Sequence, residues 1–202
     1  MTSALLIAAF VFAGAQPSDV LLDALVWGAD VVKINPANYP APIRKELTAY
    51  LQRFSALQPA PAQPMSREFR MVAEARYRYG RRLAAVSASP QAPALASAYV
   101  EALQPCYEWE GLPDCPQREA LFALNYRQSH PNSPFHDYLL LLEAHRWLCA
   151  AEAFSSAGQA GAAQTARQSS QAAAAAAQES KSHLLRTAAA RLNERSACLP
   201  PR

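Results

Sequence analysis

Between Ser133 and Phe154 the chain runs Ser-Pro-Phe-His-Asp-Tyr-Leu-Leu-Leu-Leu-Glu-Ala-His-Arg-Trp-Leu-Cys-Ala-Ala-Glu-Ala-Phe. Ser133 followed by Pro134 is a helix-start signal, with serine as N-cap and proline at the first helical position. Four consecutive leucines, Leu139 to Leu142, point to every side of a helix, so no single amphipathic face holds them. A helix of that kind must be wrapped by others. The stretch therefore predicts a central core helix in an all-α domain, and the remaining segments must supply its neighbours.

They are of the right kind. Alanine-rich segments, only 6 glycines and a scarcity of alternating β-branched runs favour helix throughout. Helical spacing is readable over 17–32, 43–57, 67–86, 92–103 and 117–129, the second carrying Ile43, Leu47, Tyr50, Leu51, Phe54 and Leu57 on one stripe. A proline-rich connector occupies 58–65, around Pro59, Pro61 and Pro64. Residues 162–197 read as one long alanine-rich helix, with six alanines in a row at 172–177. The expectation is a single-domain bundle or short solenoid of helical hairpins, about seven helices over residues 16–202.

Residues 1–15 stand apart. The uncharged run Ala4 to Phe12 and the small-x-small site Ala13-Gly14-Ala15 match a cleaved signal peptide, which predicts a periplasmic or secreted chain with no transmembrane segment after cleavage. No cysteine lies near that site to carry a lipid anchor. Lys plus Arg is 19 against 16 for Asp plus Glu, a balance too mild to imply a nucleic acid or an anionic membrane as partner.

Four cysteines, Cys106, Cys115, Cys149 and Cys198, form an even set, which in an exported chain favours two disulfides among three possible connectivities. Cys106 with Cys115 is the favoured first pair, being close in sequence among Pro105, Pro113 and Pro116, which leaves Cys149 with Cys198. The paired CxxC or HxxxH spacing of a metal site is missing, and no metal is expected.

Two segments invite a binding reading. The loop closed by Cys106 and Cys115 carries Tyr107 and Trp109 among Glu108, Glu110 and Asp114, and would present rigid aromatic anchors to a partner protein. It would equally serve as a staple with Trp109 folded over the core. Along 67–86, Arg67, Arg70, Arg78, Arg81 and Arg82 gather beside Tyr77 and Tyr79 in a face that would grip an acidic partner or simply be solvated.

Enzyme fingerprints for phosphate, nucleotide or serine and zinc hydrolase chemistry are missing, so no cofactor is expected. Glu143 and His145 on the central helix are the candidate catalytic pair, as acid and base in a pocket completed by other helices, with Arg146 beside them. His136 with Glu143, and His145 with Glu152, each lie two turns apart, about 11 Å, too far to pair directly.

At His130-Pro131-Asn132-Ser133-Pro134-Phe135, followed by Tyr138, Leu141, Leu142, Ala144, Trp147, Ala151 and Gly158, the chain resembles a tetratricopeptide-type helix junction, over 117–168. In that class one helix ends in a proline-serine-proline linker, and the next carries spaced leucine, alanine and aromatic residues up to a glycine turn. The resemblance implies a scaffold or partner-binding role and no catalytic residue. The reading is thus a noncatalytic, exported protein-binding module of the cell envelope. Its alternatives are a small periplasmic inhibitor or immunity protein, and an envelope enzyme using Glu143 and His145.

Overall fold

A computed structural model describes residues 17–28, 31–56, 67–103, 106 and 114–198. Within them the chain is all-helical: α1 (Pro17–Trp27), two 3-10 turns (Val31–Lys33 and Pro36–Asn38), α2 (Ala41–Ala56), α3 (Arg67–Val86), α4 (Ala92–Ala102), α5 (Asp114–Ser129), α6 (His136–Ser156), α7 (Ala160–Ala177) and α8 (His183–Glu194). The expected signal segment, the whole proline-rich connector 58–65 and the loop residues Tyr107, Glu108, Trp109 and Glu110 lie outside the described residues.

α6 is the hub. Every residue from Tyr138 to Ala151 is buried, so the helix presents no solvent face over almost four turns. It packs against α5, α7, α8 and α1, while α2, α3 and α4 extend the same core. The helix begins at His136, two residues later than the Ser133-Pro134 signal predicts. Ser133 Oγ accepts from the Phe135 N–H at 3.3 Å and the Ser133 carbonyl from His136 at 3.0 Å, so Ser133 to Phe135 form a turn that seats Phe135 in the core.

The C-terminal expectation needs a larger correction. Residues 162–197 are not one helix but α7 and α8, broken over 178–182, which makes eight α-helices among the described residues where about seven were expected. The break has a local cause. Ser182 leaves the helical region (φ −76°, ψ 120°) and accepts from Leu185 N at 3.2 Å as the N-cap of α8, and Ser180 Oγ donates to Asp137 at 2.6 Å. A capping serine competes with helix continuation more effectively than the alanines before it favour it.

α7 packs closely rather than projecting. Its buried stripe Ala163, Ala166, Ser170, Ala173, Ala174 and Ala177 lets the backbone approach α6 closely enough for Ser170 Oγ to donate to the Ala144 carbonyl at 2.7 Å. The turn between α6 and α7 places Gly158 at φ +72°, the left-handed region that glycine enters without a Cβ penalty.

Both disulfides form with the expected pairing, Cys106–Cys115 across 9 residues and Cys149–Cys198 across 49. The second ties the segment after α8 back onto α6. α8 is also held to α1, where Arg191 and Arg195 both contact the Asp19 carboxylate and Arg195 bridges to Asp23 at 2.9 Å. Burial pushes the Asp19 carboxyl up, but the two arginines outweigh it and hold it below the ordinary carboxylate range. No helix among the described residues is long and apolar enough to cross a membrane.

Candidate functional site

α1 ends against the hub, and its last carbonyls organise the buried polar centre. Tyr50 on α2 donates its hydroxyl to the Ala24 carbonyl at 3.2 Å, Tyr138 on α6 to Leu25 at 2.9 Å, and Arg82 on α3 to Val26. Arg146 on α6 reaches the same Val26 carbonyl at 3.5 Å. Two guanidinium groups at the negative end of a helix dipole are favourably placed. Gly28 makes the approach possible: its φ is +68°, and a Cβ there would meet Arg82 Cδ at 3.4 Å.

Around this end the centre is crowded with aromatics. Tyr79 and Tyr99 stack with centroids 3.7 Å apart, Arg82 lies over Tyr79, and Tyr99 donates its hydroxyl to Glu119 at 2.6 Å. Glu119 also meets Arg146 Nε at 2.5 Å, as an ion pair rather than an aligned hydrogen bond. Burial pushes the Tyr79, Tyr99 and Tyr138 phenols above their ordinary value, so all three stay protonated at neutral pH; Tyr99 and Tyr138 donate, while the Tyr79 hydroxyl has no partner among the described residues.

The candidate catalytic pair sits in this packing. Glu143 is 6 % exposed and held by Arg127 on α5, whose Nη2 lies 2.5 Å from its carboxylate. Burial raises the Glu143 carboxyl above the usual range, and the Arg127 bond offsets only part of that. His145 is fully buried between Nε2 to the Cys198 carbonyl at 3.2 Å and Nδ1 to Cys149 Sγ at 3.7 Å, with Trp27 edge-on at 5.2 Å. Burial and the neighbouring Arg146 charge push its pKa well down, so it stays neutral. The two residues face different partners and neither lines the two largest described clefts.

The expected arginine face divides. Arg78 is exposed and paired with Glu74 at 3.8 Å, but Arg81 donates to the Phe54 carbonyl at 2.7 Å and lies over the Phe54 ring. Arg82 is no surface residue at all, being 6 % exposed. The reason is register: Arg82 follows Tyr79 by three and precedes Leu83, both fully buried, so it sits on the core stripe of α3. Arg67 and Arg70 belong to the part of α3 whose side chains are not described.

Two clefts open elsewhere. One, of about 580 Å³, runs between α3 and α4 over a floor of Gly80, Ala84, Ala92, Pro93 and Ala96, with Arg76 exposed at its edge. The close approach of α3 and α4 rests on small residues, since a Cβ at Gly80 would lie 3.4 Å from that of Ala96. The other, about 870 Å³, is the more polar of the two and lies where α2, the start of α6 and the α7–α8 break converge, with Lys45, Arg53, His136 and Lys181 around it.

No protein-family model, curated protein or solved structure matches this chain. Its function therefore has to be argued from these surfaces. The polar cleft was readable in part, because the run Gln178 to Ser182 interrupts the alanines and Ser182 is a capping residue. Its opposite wall on α2, including Lys45 and Glu46, carried no signal beyond that of an ordinary solvated helix face.

Proposed function

We propose that this chain is a noncatalytic, exported module that binds another protein, and that it does so through the groove between α3 and α4. The observation that carries this reading is the groove's lining: a stretch of glycine, alanine and proline along a cleft of about 580 Å³, with the exposed guanidinium of Arg76 at its edge. Such a surface suits a partner segment that places apolar anchors beside a carboxylate.

The noncatalytic part is supported by Glu143 and His145, each already held by a neighbouring group, Arg127 and the Cys198 carbonyl. Export is supported by the two disulfides, which persist in oxidising compartments. The resemblance of α5 and α6 to a tetratricopeptide-type pair supports a scaffold role in the same sense.

A photoreactive side chain in place of Ser97, in the groove, tests the reading in cells. The expected crosslinked peptide carries apolar residues flanked by Asp or Glu, and Ala84→Trp, which fills the groove, abolishes the crosslink. Crosslinks that survive Ala84→Trp, or that map to peptides without apolar anchors, would overturn it.

A further inference from the structure

We propose that the polar cleft between α2, the start of α6 and the α7–α8 break is a binding site for a small organic dicarboxylate. The site is independent of the α3–α4 groove. Its volume of about 870 Å³ is in the range of small-ligand pockets. Its walls are held by contacts between residues far apart in sequence. Glu46 on α2 accepts from Ser182 Oγ at 2.5 Å, from His183 N at 3.0 Å and from Leu184 N at 3.1 Å. Asp137 at the start of α6 accepts from Ser180 Oγ at 2.6 Å. The helix break is thus pinned on both sides, and the cleft is shaped before any ligand arrives.

The same bonds decide which groups of the lining are left for a ligand. Both carboxylates in the lining already accept hydrogen bonds, and burial of Glu46 is outweighed by its three donors, which hold it ionised below the ordinary range. Lys45 on α2 and Lys181 on the break pair with no carboxylate among the described residues and line the cleft from different elements. Glu46 and Asp137 keep their negative charge, but their oxygens are engaged by Ser182, Ser180 and the α8 amides, and the two lysine ammonium groups are left without a partner among the described residues.

That arrangement favours two carboxylates over one phosphate. Phosphate sites are built from helix N-terminal amides or forked guanidinium groups. Here the α8 amides are taken by Glu46, and Arg53 is turned to the Ala85 carbonyl at 2.7 Å and the Val86 carbonyl at 3.2 Å. Pro134, Leu184 and Leu185 offer apolar wall to a short carbon chain between the two acids.

Titration calorimetry at low ionic strength tests this with succinate, glutarate, acetate and inorganic phosphate as probes. The expected result is saturable one-to-one binding of succinate or glutarate, at least about tenfold tighter than acetate or phosphate, weakened about fivefold or more by Lys45→Gln and by Lys181→Gln. Arg167→Gln, on the exposed face of α7, leaves it unchanged. Phosphate binding as tight as the dicarboxylates, binding unaffected by both lysine variants, or no saturable binding at millimolar concentrations would each overturn the proposal.

Discussion

The guanidinium carbon of Arg146 lies 3.8 Å from the ring centroid of Trp27, so the most buried helix of the protein holds a cation against the last residue of the first helix. Trp27 is 37 % exposed, and it covers both Arg146 and His145 from outside. The charge beneath it is matched by Glu119 on α5, which makes α1, α5 and α6 parts of one electrostatic unit.

Arg146→Leu leaves Glu119 without its cation, and breaking a buried pair by removing one partner costs about 3–5 kcal/mol. Glu119 keeps some exposure, which places the expected loss at the lower end of that range. Arg146→Lys keeps the charge but loses the flat stacking on Trp27 and should cost less. Urea denaturation of the three proteins measures the order; a neutral Arg146→Leu would contradict the assignment.

Glu46→Ala removes the acceptor of the first two α8 amides and of the Ser182 hydroxyl. A lost cap typically costs about 1–2 kcal/mol. The local signature matters more: amide exchange of His183 and Leu184 should accelerate, with the α3 amides unchanged. Uniform acceleration, or none, would argue against a cap supplied from α2.

The two disulfides should differ in weight. Loop-closure entropy gives about 4 kcal/mol for the 49-residue Cys149–Cys198 loop and about 2.5 kcal/mol for the 9-residue Cys106–Cys115 loop. A Cys149→Ala, Cys198→Ala protein should therefore melt well below a Cys106→Ala, Cys115→Ala protein. Equal melting temperatures would show that native-state packing, not the unfolded chain, sets the difference.

Stability should fall on mild acidification through His145. Its pKa is lowered in the folded state, whereas in the unfolded chain it protonates near pH 6.5. The unfolded state thus binds the extra proton first: stability is intact above pH 6.5 and declines below it, by at most about 2 kcal/mol down to pH 5. His145→Gln should remove that slope. Denaturant midpoints at pH 7.5 and 5.0 provide the comparison, and an equal slope in both proteins would assign it to another group.

What was legible in the sequence follows from the kind of signal each feature leaves. The hub helix announced itself because four adjacent leucines cannot share a face, and the disulfide pairing because proximity leaves few choices. Arg82 was misplaced because a cation on a core stripe looks like a surface residue until its acceptor, the end of α1, is known. The α7–α8 break was partly visible in Ser182 but was masked by the helix propensity of the alanines on its N-terminal side. The rest of the cleft was illegible for a simpler reason: Lys45 and Asp137 are brought to Lys181 only by tertiary packing.

Asp19 and Asp23 near the beginning of the described chain pair with Arg191 and Arg195 near its end, 172 and 176 residues later for Asp19 and 172 for Asp23. Leu21, Leu22 and Leu25 are fully buried in the same arrangement. A chain emerging N-terminus first therefore holds its first apolar helix without its final partner until almost the whole polypeptide has appeared. Assembly is completed late and all at once, with the slow search expected of distant pairings. Truncation from the C-terminus would first free Cys149 of its disulfide and then take away the arginines that hold Asp19 and Asp23.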